Sequence, residues 1–134
     1  MGLPFEELAI PFNVAFGWCW ILIGLLIGAG IGLSFHQAEW LGGYSSWTRR
    51  LVRLGHISFI GTGILNVAFA WSVETFDLSS RLQLAPTAFI VGAIAMPLVC
   101  FASAWRPRFR HLFCLPVASL VIATAETAYW SVRL

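Results

Sequence analysis

Four long apolar runs, separated by three short connections, dominate this sequence. They cover about residues 11–40, 46–71, 85–105 and 109–132. Each reaches or exceeds the ~20 residues that cross a hydrocarbon core at about 1.5 Å per helical residue. Lipid offers no hydrogen bonds, so a spanning run must satisfy its own backbone, and helices do this. Charged residues make up 10% of the chain and hydrophobic residues 59%. A soluble domain carries about 25% charged residues, so too few are present here to cover a water-facing surface. The sequence predicts an all-α integral membrane protein, one domain over residues 1–134, with four transmembrane helices in an up-down bundle.

The arginines predict the orientation. All eight basic residues are arginine. Arg49, Arg50 and Arg53 mark the first connection, and Arg106, Arg108 and Arg110 the third. The other side holds Arg81 and Arg133 with the acids Glu6, Glu7, Glu74 and Asp77. The positive-inside rule then places the first and third connections in the cytoplasm and both termini outside, as in a bacterial inner-membrane protein. Trp40, Tyr44, Trp47 and Trp105 border the inner face, and Trp71, Tyr129 and Trp130 the outer one. Residues Met1 to Ile10 form an amphipathic lead-in. Its acidic pair Glu6/Glu7 stands where a cleavable signal would carry positive charge, so the first run is expected to remain as a span.

Prolines and serines punctuate the runs. Pro11 and Pro86 suit first-turn positions, where a missing N–H costs nothing. Ser45 or Ser46 is the expected N-cap of the second helix. Pro97 removes a backbone hydrogen bond within the third run, so a kink is expected there. Pro116 either kinks the fourth helix or marks its first turn.

Gly24, Gly28 and Gly32 follow at four-residue steps in the first run, and Gly61 and Gly63 supply small residues in the second. Such positions let helices approach closely, which gives a packing face. A slot for a flat cofactor or a lipid is the alternative use of the same ladder.

Three histidines fall in the arginine-rich half: His36, His56 and His111. Imidazoles facing each other across helices are the usual ligands of a b-type haem, which makes haem b the candidate cofactor. Counted from the turn at Gly43, His36 and His56 differ in depth by roughly 9 Å at about 1.5 Å per residue. Ligands of one iron need nearly equal depth. The alternative has His36 and His111 at the interface and His56 hydrogen-bonded inside the bundle. Cys19, Cys100 and Cys114 show no metal-finger spacing and read as free thiols.

Glu126, Asn66 and Asn13 form a second candidate cluster at the opposite side. An intramembrane carboxylate is costly and marks a site by default, as a proton relay or a quinone or ion contact. The competing reading is a protonated Glu126 that bonds Asn66, Thr124 or Thr127 and holds helices together. The Arg49, Arg50, Arg53, Arg106, Arg108 and Arg110 groups are candidates for contact with lipid head groups or a partner. No basic run interleaves with aromatics as nucleic-acid binding requires. Nucleophile triads, zinc-protease motifs and phosphate-binding glycine loops are likewise missing from the sequence.

These features predict a small accessory subunit without independent catalysis. It would pack beside other membrane protein subunits in a larger, energy-transducing electron-transport complex. Two alternatives stay open: an electron carrier holding haem or quinone through His56 with His36 or His111, and a proton or ion transporter working through Glu126.

Overall fold

A computed structural model describes residues 4–133, with side chains from Ile10 onward. Four helices carry the chain: α1 (Pro4–Ser34), α2 (Trp47–Phe76), α3 (Ala85–Trp105) and α4 (Cys114–Ser131). A 3-10 turn, Trp40–Gly42, joins the first pair, and a 3-10 segment, Pro107–Phe113, leads into α4. Four stretches are long and apolar enough to cross a membrane: Ile10–Ser34, Trp47–Phe76, Ala85–Trp105 and Pro107–Ser131. The chain is therefore a helical membrane protein. The side chains of Glu6 and Glu7, and so the amphipathic character of the lead-in, lie outside the described residues.

The helix boundaries differ from the sequence expectation in three places. α1 is already helical at Pro4, so Pro11 lies within the helix rather than in its first turn. At its other end α1 stops at Ser34, and the chain through His36 to Glu39 leaves the helix. α2 runs past Trp71 to Phe76, where Asp77 takes a left-handed conformation (φ 50°, ψ 49°) and its N–H returns to the Val73 carbonyl. Short acidic side chains tolerate that region better than most residues. Pro116 falls in the first turn of α4, where proline is accepted. Ser46 is the N-cap of α2: its Oγ accepts from the Arg49 N–H at 3.1 Å.

Consecutive helices pack on each other, α1 on α2, α2 on α3 and α3 on α4. Small residues set the closest approaches. A Cβ on Gly17 would lie 2.7 Å from the Gly63 carbonyl, and one on Gly63 would lie 2.8 Å from the Gly17 carbonyl. Here α1 and α2 meet backbone to backbone. Further along, Gly24 receives Phe59 and Ile60, and Gly28 receives the His56 ring. Gly55 takes Phe101 from α3, and Gly92 of α3 takes Leu120 from α4. Among the described residues, nothing lies within 4 Å of a Cβ on Gly32 or Gly61.

An apolar core of Phe69, Val73, Leu78, Leu82, Ala85, Phe89 and Ala123 ties α2, the second connection, α3 and α4 together. Much of the remaining surface is apolar. Leu22, Leu25, Leu26 and Leu33 of α1 are exposed, as are Val117, Val121 and Ile122 of α4. Such a surface suits lipid or another apolar helix, and it would be a liability in water.

Candidate functional site

The arginine-rich end is built around Arg49. Trp47 donates its indole N–H to Ser103 O at 3.4 Å, and Thr48 its hydroxyl to Ala104 O at 3.4 Å. These bonds bring the start of α2 beside the end of α3, so the first and third connections share one end. Arg49 is fully buried. Its guanidinium donates to Ala38 O at 3.1 Å and Phe35 O at 3.3 Å, with longer contacts to Gln37 O and Trp40 O. The rings of Tyr44, Phe35 and Trp40 surround it, at 3.8, 4.9 and 5.4 Å from their centroids. A buried cation is tolerable only when carbonyl dipoles and ring faces replace its water. Arg49 is therefore not available to lipid or a partner, unlike its expected group. It fastens the chain that leaves α1. Arg50, Arg53, Arg106, Arg108 and Arg110 are exposed at this end.

His56 lies within α2, half-buried against α1. Its Nδ1 is 3.0 Å from the Gly24 carbonyl. A carbonyl can only accept, so Nδ1 carries the proton. The ring occupies the space that glycine leaves at position 28: a Cβ there would sit 2.9 Å from Nε2. The other two histidines are elsewhere. His36 is exposed in the segment after α1, and His111 is exposed in the 3-10 segment before α4. Among the described residues, no three His, Cys, Asp or Glu side chains gather where they could hold a metal ion.

At the opposite end, Asn13 and Asn66 are both fully buried. Asn13 Nδ2 donates to Asn66 Oδ1 at 2.8 Å and to Pro86 O at 3.1 Å. Asn66 Nδ2 donates to Thr62 O at 2.9 Å and to Phe89 O at 3.4 Å. Backbone carbonyls fix the orientation of both amides, because only the nitrogen can donate to them. One polar link thus joins α1, α2 and α3, while Asn13 Oδ1 stays buried without a partner among the described residues.

Glu126 does not join that pair, nor does it bond the threonines beside it. Its carboxylate accepts from the backbone N–H groups of Gln83 (3.0 Å), Leu84 (3.0 Å) and Ala85 (2.6 Å). Those donors open α3 and have no partners within the helix. A charged carboxylate matches both the unsatisfied N–H groups and the positive end of the helix dipole. Of the two sequence readings, the bond from Glu126 to Asn66, Thr124 or Thr127 is not formed among the described residues; its carboxylate is a tertiary cap on α3 instead.

Sequence reasoning missed two residues. Gly17 makes the closest contact between α1 and α2, and Trp20 donates its indole N–H to Ala93 O at 3.1 Å. A groove of about 760 Å³ also lies between the start of α1 and the end of α2, lined by Ile10, Pro11, Val14, Glu74, Asp77 and Ser79 among others.

Comparison of the chain with protein-family models, curated proteins and solved structures found no match.

Proposed function

We propose that this chain is a small membrane-embedded accessory subunit that packs against other subunits of a larger, energy-transducing membrane complex. Its four helices cross the membrane in an up-down bundle, with the arginine-rich end in the cytoplasm of a bacterial inner membrane and both termini outside. The five exposed arginines at one end support that orientation through the positive-inside rule.

The observation that carries the reading is the set of spare close-packing positions. Gly30 and Gly32 of α1 and Gly61 of α2 face open space, with nothing among the described residues within 4 Å of where a methyl group would sit. Glycine inside a helix costs about 1 kcal/mol relative to alanine. Gly17, Gly24, Gly28 and Gly63 offset that cost by packing inside this chain; close approach of a helix from another chain would offset it for the outward three. The polar groups of the interior point the same way. Asn13, Asn66, Arg49, Trp20 and Glu126 are engaged in bonds that hold helices and their ends, which suits a scaffold better than a transport path.

Mild solubilisation of native membranes, followed by affinity purification of the chain, tests the proposal. Co-purification of further membrane subunits in fixed ratio is expected. A monomer in native membranes, with no larger assembly, would overturn it.

A further inference from the structure

We propose that the groove between the start of α1 and the end of α2 is a lipid site that selects a phospholipid with a primary ammonium head group, an ethanolamine phospholipid. This stands apart from the accessory-subunit reading, since a lipid can occupy the groove whether or not other subunits dock elsewhere.

The first spanning stretch begins at Ile10 and the second ends at Phe76, so the groove opens where hydrocarbon gives way to head groups. Its volume of about 760 Å³ is divided by chemistry. Ile10, Val14 and Val73 give it an apolar floor, while Glu74 in the last turn of α2 and Asp77, Ser79 and Ser80 just beyond give it a polar rim. One turn further along the same two helices, a second hollow of about 290 Å³ is lined by Trp18, Ile21, Ile64 and Ala68 among others. From Ile10 to Ile21 the seam runs about 16 Å at about 1.5 Å per residue, the scale of one acyl chain. Water does not settle in an apolar hollow, and unfilled space forfeits dispersion contacts. In a bilayer the filler at hand is a lipid chain. Such chains are alike in the lipids around the protein, so the seam fixes how the ligand lies and the head group decides which ligand it is.

The rim reads that head group. Among the described residues its titratable side chains are two carboxylates, Glu74 and Asp77, both exposed. Arg81, close by in sequence, turns to α4 instead, 5.5 Å from the Trp130 ring centroid. A negative rim rejects an anionic glycerol head group and accepts a cation. A primary ammonium brings three donors to carboxylate oxygens, as a lysine side chain does, and a choline head group has no N–H to bring. Choline is held by aromatic cages, and no aromatic side chain among the described residues lines the upper groove. The hydroxyls of Ser79 and Ser80 supply donors for the phosphate next to the ammonium.

Titration of the purified full-length chain in detergent with phosphatidylethanolamine, phosphatidylcholine and phosphatidylglycerol of matched acyl chains, read by native mass spectrometry, tests this. The wild-type chain should bind the ethanolamine lipid at least tenfold more tightly than the choline lipid. Glu74→Gln combined with Asp77→Asn should abolish that preference and leave choline-lipid binding unchanged. Binding of the glycerol lipid at the exposed arginines of the other end should be the same in both chains, which separates the two ends. Ala68→Trp fills the lower hollow and should weaken the ethanolamine lipid several-fold. Should the double variant unfold, N-methylated and N,N-dimethylated ethanolamine lipids on the wild-type chain decide instead: affinity should fall with each donor removed. Equal affinity of the wild-type chain for ethanolamine and choline lipids, or a preference that survives in the folded double variant, would overturn the proposal. Ala15 also lines the groove. Crosslinking of Ala15→Cys to another protein chain in native membranes, beyond the wild-type background, would give the groove to a partner helix and overturn the proposal as well.

Discussion

The indole of Trp20 donates to the carbonyl of Ala93 at 3.1 Å, and Ala93 is the residue whose helical partner would be the N–H at position 97. Pro97 has none. The carbonyl freed by a proline in α3 is thus taken by a side chain of α1. This is how spanning helices tolerate proline in an environment without water. The Trp20 ring also stacks on Phe16 and packs on Phe59, with centroids 5.0 and 4.7 Å away.

Trp20→Phe should therefore cost about 1 kcal/mol beyond the lost ring area, the scale of an interhelical hydrogen bond in a membrane. Pro97→Ala restores the N–H, so Trp20→Phe in that background should lose most of this penalty. Thermal unfolding in detergent across the double-mutant cycle measures the coupling. Additive effects would mean that the indole bond and the proline are unrelated.

Arg49 and Arg50 are neighbours with opposite expected behaviour. Arg49→Lys keeps the charge but not the planar fork that reaches several carbonyls and lies among three rings. It should destabilise the chain by about 2–3 kcal/mol, as a buried cation that loses its partners does. It should also raise proteolysis between residues 35 and 46. Arg50 is exposed, and Arg50→Gln should change neither by a measurable amount.

Gly61 and Gly63 predict effects of opposite sign. A methyl at position 63 would sit 2.7 Å from Ile21 Cγ1 and 2.8 Å from the Gly17 carbonyl, and backbone cannot step aside cheaply. Gly63→Ala should cost about 1–3 kcal/mol through overpacking. At Gly61 a methyl meets nothing, so in the isolated chain Gly61→Ala should be neutral or stabilise by up to about 1 kcal/mol. Unfolding of both variants in one detergent gives the comparison.

Helix geometry explains which glycines could be read correctly. Residues advance by about 100° around a helix, so a four-residue ladder drifts by about 40° per step. Gly32 is then about 80° from Gly24, off the face that meets α2. Gly17, seven residues before Gly24, returns to within about 20° of it, and the four-step pattern hid this. Gly61 and Gly63 are about 200° apart and cannot serve the same neighbour. The four spans were legible because their apolar runs are long and uninterrupted. The role of Arg49 was not, since charge counting treats every arginine at a connection alike. Trp20 was not either: its bond depends on a proline 77 positions away, which only the packing of α1 beside α3 brings near.

Glu126 separates a structural carboxylate from a transporting one. It caps α3 through three backbone N–H groups, two of them at exposed positions, so solvent screens part of the interaction. Glu126→Gln keeps the shape and one acceptor oxygen but loses the charge at the helix N-terminus; a cost of about 1 kcal/mol follows. Glu126→Ala leaves all three donors without this partner and should cost about 2 kcal/mol, with fraying of α3 around Gln83 to Pro86 visible as faster amide exchange. The Gln penalty should shrink as salt rises, because the interaction is partly exposed. Proton flux through liposomes reconstituted with wild type and Glu126→Gln completes the comparison. A carboxylate used as a cap leaves flux equal in the two while stability differs, and flux abolished by Glu126→Gln at unchanged stability would instead make this residue a proton carrier.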